Sequence, residues 1–427
     1  MIEERIKLTY SEQMLDQLQN GELTAAKRTF RQALDHDSDD MLFSLAEELY
    51  GLGFLRQARR AYLTLLDRYP DEDELRTNLA TIAIDEGHND EALSYLAQVK
   101  PGSPAYLEAL LVAADLYQTE EEFEITEQKL KEAEQLAPDE PAVQFALAEF
   151  YFLVGRFDEA IDYYFRLIKN GYTDFAKVDI AGRLGMCYAQ SGQFKQALGY
   201  LKQVKPAYQT SDIRFQTGLT QLHLGQLDDA IKTLEDLIGD DDQYASAYPA
   251  LAQAYSKQRN YPQALRAIQE GLAVDQYNEQ LYSQAAEIVS HLGNHQLMAK
   301  YLKKAHELAP DNLTIILQYS NFLLHQHDDA ANIKLLAPLI KEDEVDPQVY
   351  WNLARSYQRS EQFELAGKYF RAAAPSYQDD PTFLHELIDF DREMGNTTDL
   401  LAELHRYLAL VPTDTAMQDL LDEYEEY

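Results

Sequence analysis

The stretch from Phe150 to Ile168 reads FYFLVGRFDEAIDYYFRLI, two apolar patterns joined at one glycine. Apolar residues recur at Phe150, Tyr151 and Val154 ahead of Gly155, then at Phe157, Ala160, Ile161, Tyr164, Leu167 and Ile168 after it. Spacing by three and four puts such residues on one face, so each half predicts an amphipathic helix. Gly155 tolerates a left-handed backbone, which lets it end the first helix and turn the chain into the second. Asp158 and Glu159 then fall in the first turn of the second helix, where carboxylates favour the positive end of the helix dipole. The unit is an αα-hairpin, and one hairpin alone cannot bury both of its faces.

The pattern recurs along the chain. The small residue that opens each second helix serves as a marker: Ala26, Ala58, Ala92, Thr126, Ala160, Ala197, Ala230, Ala264, Met298, Asn332, Ala366 and Leu400. The steps between them are 32, 34, 34, 34, 37 and 33 residues, followed by five of 34. Four residues past each marker stands a large apolar residue: Phe30, Tyr62, Leu96, Leu130, Tyr164, Leu201, Leu234, Ile268, Leu302, Leu336, Phe370 and Leu404. Small residues occupy the middle of many first helices, as at Ala148, Gly185, Gly218, Ala252, Ala286 and Ala354. A small side chain lets a second backbone come close, and the bulky residue four past the marker fills the space beside it. Pro70, Pro104, Pro138, Pro310 and Pro412 each fall twelve residues after a marker, where a second helix must stop.

This pattern resembles the tetratricopeptide repeat, a 34-residue helix–turn–helix unit with the same small, bulky and proline positions, and the resemblance covers nearly the whole chain. The expected fold is an all-α, α-α superhelix, a right-handed solenoid of about twelve repeats in one domain spanning 1–427, in which stacked neighbours supply the core. Met298, Asn332 and Leu400 depart from the small marker, so the later repeats are expected to pack less regularly. Ile2, Ile6, Tyr10 and Met14 suggest a first helix longer than the others. The tail 415–427, TAMQDLLDEYEEY, puts Met417, Leu420, Leu421 and Tyr424 on one side and acids on the other, which reads as a capping helix. The connections at 169–177 and 239–244 break the rhythm and are either hinges or ordinary longer loops.

Composition narrows the function. Lys+Arg 37 against Asp+Glu 73 gives a formal charge of -36. Such a surface repels phosphates and anionic lipid, which argues against nucleic acid and membrane and leaves basic proteins or peptides as partners; alternatively the charge only keeps a large surface soluble. The single cysteine, Cys187, excludes an internal disulfide and a cysteine-built zinc site. No window approaches eighteen uncharged apolar residues and no basic start leads into an apolar run, so a cytoplasmic location is expected. Glycine-rich phosphate loops, nucleophile elbows and zinc-protease motifs are missing. Acid pairs such as Glu47-Glu48 and Asp228-Asp229 are accounted for by helix position. The run Asp35-His36-Asp37-Ser38-Asp39 lacks the glycine and closing glutamate of a calcium loop, and the histidines at 291, 295, 325 and 327 fall at hairpin turns in numbers too small for a metal site. The expectation is a protein with no catalytic residues, no cofactor and no metal.

The resemblance implies that first helices line the inner wall and that proteins or peptides bind along it. Projecting each first helix places Phe43, Glu47 and Tyr50, then Asn78, Thr81 and Asp85, then Asp115, then Phe145, Glu149 and Phe152, then Phe215 and Leu219 on that wall. Farther on come Gln253, Glu287 and Asn321, and finally Trp351, Arg355, Arg359 and Arg392. The lysine and asparagine clamp that many co-chaperone repeats use for a terminal carboxylate is missing. Trp351 with Arg355 and Arg359 is either an interaction hot spot or a packed ring beside arginines that balance acids. The resemblance extends to the long acidic cytoplasmic repeat proteins of Gram-positive bacteria. It implies a non-catalytic scaffold or adaptor that holds a protein or extended peptide, with a regulatory peptide receptor acting through protein contacts as the alternative.

Overall fold

A computed structural model describes residues 8–341 and 345–425. The chain divides into two compact units, Met1–Ile213 and Arg214–Tyr427.

In the first unit the helices run α1 Tyr10–Gln19, α2 Leu23–His36, α3 Asp39–Gly51, α4 Leu55–Arg68, α5 Asp73–Asp85 and α6 Asn89–Leu96. They continue with α7 Tyr106–Thr119, α8 Phe123–Leu136, α9 Pro141–Leu153, α10 Phe157–Lys169, α11 Ile180–Gln190 and α12 Phe194–Leu201. The helix α13 Ser211–His223 opens the next repeat. The second unit then has α14 Leu227–Asp240, α15 Ala247–Lys257, α16 Tyr261–Val274, α17 Glu279–His291, α18 His295–Leu308 and α19 Leu313–His325. It ends with α20 Asp329–Leu336, α21 Pro347–Arg359, α22 Phe363–Tyr377, α23 Pro381–Met394, α24 Thr397–Leu410 and α25 Thr415–Glu425. Odd-numbered helices up to α23 are the first helices, even-numbered ones the second helices, and within each unit every hairpin packs on the next as a helical solenoid.

The hairpin turn is made the same way every time. Gly155 has φ +77, and the residue five before each marker is left-handed in all twelve turns. Eight are glycine; Glu121, Arg259, His327 and Glu361 occupy the others and carry the Cβ strain that glycine avoids.

Ten of the twelve markers that open the second helices are small residues or Leu400 and are buried, as is Asn332; Met298 alone is half-buried. The bulky residues four further on are buried too, except Leu96 at the end of the short α6, which is half-buried. A Cβ built on Gly185 would stand 2.6 Å from Leu201 Cγ, and one on Gly218 2.8 Å from Leu234 Cγ. The bulky residue of each second helix therefore sits where only a small residue on the first helix leaves room. Asn332 is fully buried, and its amide donates to Ser356 Oγ at 2.9 Å and to the Asn352 carbonyl at 3.3 Å. Hydrogen bonds offset the cost of burying that amide where other repeats use alanine. Leu400 packs with Leu384, Ile388, Leu404, Met417 and Leu421, which joins α23 and α24 to the capping helix α25.

Two expectations are revised. The long first helix stops at Thr9, whose extended backbone and hydroxyl, accepting from Glu12 N–H at 3.2 Å, cap α1. The carboxylate of Glu12 accepts in return from Thr9 N–H at 2.8 Å. Ile2 and Ile6 lie outside the described residues. The connection after α10, expected as a hinge or an ordinary longer loop, holds a short antiparallel ribbon: Asp174–Phe175 (β1) and Val178–Asp179 (β2), turned by left-handed Ala176 and Lys177. Phe175 packs 5.0 Å from Phe145, and Lys205 Nζ reaches Asp174 Oδ1 at 2.5 Å. In the second unit, Tyr248 donates to the Asp242 carbonyl at 2.9 Å across the connection after α14.

Candidate functional site

One residue of each first helix, eleven before the marker, forms a column: Leu15, Glu47, Thr81, Asp115, Glu149 and Met186 in the first unit, and Leu219, Gln253, Glu287, Asn321, Arg355 and Asp389 in the second. A second column, eighteen before the marker, holds Asp40, Glu74 and Glu108. The sequence reading did not single out these N-terminal-turn acids, although their 34-residue spacing was a signal.

In the first unit these acids face one another. A cavity of about 550 Å³ is lined by Asp39, Asp40, Phe43, Tyr69, Glu72 and Glu74, with Leu65 and Leu75 at its base. Asp39 is occupied: Tyr69 and Arg68 both donate to it and hold its carboxyl below the usual range. Glu74 is pushed up, first by partial burial and then by Glu108, Glu72 and Glu47. None of Asp40, Glu47, Glu72, Glu74 and Glu108 forms an ion pair among the described residues. Helix dipoles stabilise Glu74 and Glu108 at these positions, yet the upward shift of Glu74 shows that desolvation and mutual repulsion outweigh that effect. Burial and the same acids push the Tyr62 phenol up as well.

The neighbouring groups follow suit. Tyr50 donates to Asp85 Oδ2 at 2.8 Å and is itself pushed up to about 12, by burial first and then by Asp85. Asp115 is exposed, but partial desolvation and then Asp85 hold it above the ordinary range. Asn78 and Thr81 are half-buried between them.

The wall changes character at α9. Glu149 receives a fork from Arg183, Nε at 2.9 Å and Nη2 at 2.8 Å, together with the Tyr164 hydroxyl at 2.5 Å. The Arg183 guanidinium also lies 4.7 Å from the centre of the Phe152 ring, while Phe145 is engaged with Phe175. Glu149 is therefore already neutralised from within.

In the second unit Phe215 lies 5.2 Å from Tyr244, and two cavities open over the later first helices. One of about 700 Å³ is lined by Asn321, Gln348, Trp351, Arg355, Arg359 and Glu386 among others; one of about 400 Å³ shares Asn321 and His325 with it and adds Glu287, Gln318 and Met298. Trp351 is 7% exposed, and its indole N–H donates to Glu386 Oε2 at 2.7 Å. Arg355 clamps the same carboxylate, Nε at 2.7 Å and Nη2 at 2.5 Å, and stacks 4.4 Å from the Trp351 ring. Arg359 donates to the Leu324 carbonyl at 2.8 Å, and Arg392 lies 3.4 Å from Asp389. These arginines are engaged by the unit's own acceptors, and Trp351 shows little more than an edge. Glu386, which organises the cluster, was absent from the sequence reading because nothing local marks it as the partner of residues 31 and 35 positions away.

Comparison with known proteins fits this layout. Residues 347–414 match the YpiA-like, C-terminal tetratricopeptide repeats and residues 118–172 the YpiA-like tetratricopeptide repeats. Residues 43–106 and 212–243 match general tetratricopeptide-repeat families. The TPR repeat-containing protein YpiA of Bacillus subtilis (strain 168) is 30% identical over 391 residues, which are 92% of each chain. Among solved structures, the Cut9–Hcn1 hetero-tetramer of the APC/C matches at TM-score 0.42 and 14% identity, covering 97% of this chain and 96% of that one. The C-terminal part of a repeat protein from Cytophaga hutchinsonii matches at TM-score 0.44 and 16% identity, covering 64% of this chain and 98% of that one. Neither structural likeness bears on function. The repeat geometry and the match over nine-tenths of both sequences lead to one conclusion: the chain belongs to the YpiA-like tetratricopeptide-repeat family.

Proposed function

We propose that this repeat protein is a non-catalytic interaction scaffold that takes a cationic, extended protein segment along the first helices of its N-terminal unit. The observation that supports this reading is the uncompensated acid set around the 550 Å³ cavity. Glu74 is held above its ordinary range by partial burial first and then by Glu108, Glu72 and Glu47, with no ion pair to offset them, and Phe43 and Tyr69 stand beside it. A lysine or arginine side chain there would relieve the repulsion and lie against aromatic faces. In the second unit Arg355 already holds the Glu386 carboxylate, Arg359 the Leu324 carbonyl and Arg392 Asp389, which makes them poorer receptors for an acidic partner.

The test is anisotropy of a labelled lysine-rich peptide against the full-length protein, with a glutamate-rich peptide of equal length as control. Binding of the basic peptide is expected to weaken by about tenfold or more between low salt and 0.5 M salt, because screening shortens the reach of exposed charges. Glu74→Gln with Glu108→Gln is expected to weaken it at low salt. Equal binding of the acidic control, or salt-independent binding, overturns the reading. A regulatory peptide receptor is the second reading, favoured by the adjoining 700 and 400 Å³ cavities. It would show as affinity lost on Asn321→Ala and kept in the Glu74/Glu108 double variant.

A further inference from the structure

The α22–α24 junction contains a charge cluster that the binding surface does not use. Asp391 on α23 is fully buried and Glu403 on α24 is 8% exposed. Asp391 Oδ1 accepts from Arg371 Nη2 at 2.6 Å and from the Asn396 amide at 2.8 Å. The same guanidinium reaches Asp399 Oδ2 at 3.0 Å and lies 3.6 Å from Glu403 Oε1. One cation thus faces three carboxyl groups. Two buried oxygens remain without any hydrogen-bond partner, Asp391 Oδ2 and Glu403 Oε2. Two buried carboxylates with unpartnered oxygens repel and stay desolvated; a single proton between them turns one into a donor and satisfies both. No group of three or more such side chains among the described residues converges as metal ligands would.

We propose that Asp391 and Glu403 share one proton, and that this proton holds α24 and the capping helix α25 against α23, so that the C-terminal end of the second unit loosens when the proton is lost. The cluster is well placed for this. Leu400 and Leu404, on either side of Glu403, pack with Leu384 and Ile388 of α23 and with Met417 and Leu421 of α25. Separating α23 from α24 would therefore uncover the seat of α25. Burial, and then Asp391, pushes the Glu403 carboxyl up to about 8, with Asp399 adding and Arg371 opposing. Other titratable groups nearby are paired elsewhere: His385 on α23 with Asp389 at 3.2 Å, and His405 on α24 with Glu425 of α25 at 3.2 Å. A carboxyl raised in the fold stabilises fully below its unfolded value, near 4.5, and that contribution is lost as pH rises through about 8.

Hydrogen exchange of the full-length protein, corrected for intrinsic rates, tests the idea between pH 6 and 9. Peptides covering 397–425 are expected to lose about tenfold or more of their protection across that range, beyond any change in 214–341. Glu403→Gln, which cannot ionise, is expected to abolish the pH dependence. Asp391→Asn is expected to move the loss to lower pH, because it removes the neighbouring charge. Infrared absorption of a protonated carboxyl at neutral pH, missing in Glu403→Gln, reports the proton independently of folding. A parent protein whose 397–425 region shows no extra pH dependence, or a Glu403→Gln variant with the parent's slope, overturns the proposal.

Discussion

The N-terminal and C-terminal units repeat one hairpin and put different chemistry on it. None of the first helices α1, α3, α5, α7, α9 and α11 has a basic residue in its last turn. From α13 onward every first helix has one: His223, Lys257, His291, His325, Arg359 and Arg392. Three of these, Lys257, Arg359 and Arg392, are cations that the helix dipole stabilises, so the later repeats use positive charge to complete their own helix ends. The early repeats instead leave Asp40, Glu47, Glu74 and Glu108 facing one another. Two Arg–Glu forks show the contrast at the level of single residues. Each joins neighbouring first helices and stacks on an aromatic ring, Arg183–Glu149 on Phe152 and Arg355–Glu386 on Trp351. In the first unit the fork ends an acidic wall; in the second it sits among arginines that are all engaged. Equal packing thus coexists with opposite availability of charge, because the core depends on side-chain volume and the wall on charge alone.

The largest effect expected from breaking this comparison concerns packing. Phe370 and Leu96 occupy the same repeat position, but Phe370 is fully buried and Leu96 half-buried at the end of α6. Phe370→Ala is expected to cost about 3–5 kcal/mol in urea unfolding, and Leu96→Ala less than about 2 kcal/mol. Equal costs would show that position within the repeat, not local burial, sets the contribution.

A smaller effect is expected at the turns. Within the helical hairpins, Arg259, His327 and Glu361 hold left-handed backbones in the second unit against Glu121 in the first. Changing any of them to glycine removes the Cβ strain at some entropic cost, for a net gain of up to about 1 kcal/mol each. The triple change in the second unit should raise the unfolding midpoint more than Glu121→Gly. No gain at all would place the strain outside these turns.

The smallest effect sharpens the electrostatic side. Glu74 is raised in the folded chain, so its favourable contribution is full below about pH 4 and is lost as the folded group ionises. Glu74→Gln should therefore stabilise the protein at pH 7, by a few tenths of a kcal/mol given its exposure, and match the parent near pH 3. Thermal melts at the two pH values distinguish this from a lost helix-end contact, which would destabilise at pH 7.

The hairpins, their number, their glycine turns and the pairing of small with bulky residues were all readable in the chain. A repeat states its own spacing many times over, and its contacts are local: Gly185 meets Leu201 within one hairpin. The capping helix was readable for the same reason, since Met417 and Leu421 show a one-sided pattern. Thr9 carried its capping signal openly, in the threonine and glutamate three residues apart, but the apolar spacing of Ile2 and Ile6 outweighed it. The ribbon at Asp174–Asp179 gave almost no signal, being two residues on each side.

What the sequence by itself determined is the repeating framework, because period and residue size act through neighbours in the chain. Tertiary structure alone decided which charges remain free. Arg355 and Glu149 look equally available in a helical projection, yet each meets its partner from the adjacent repeat more than thirty residues away. An ion's availability depends on every charge and dipole around it and on the water it has lost, and those are properties of three-dimensional position, not of spacing along the chain.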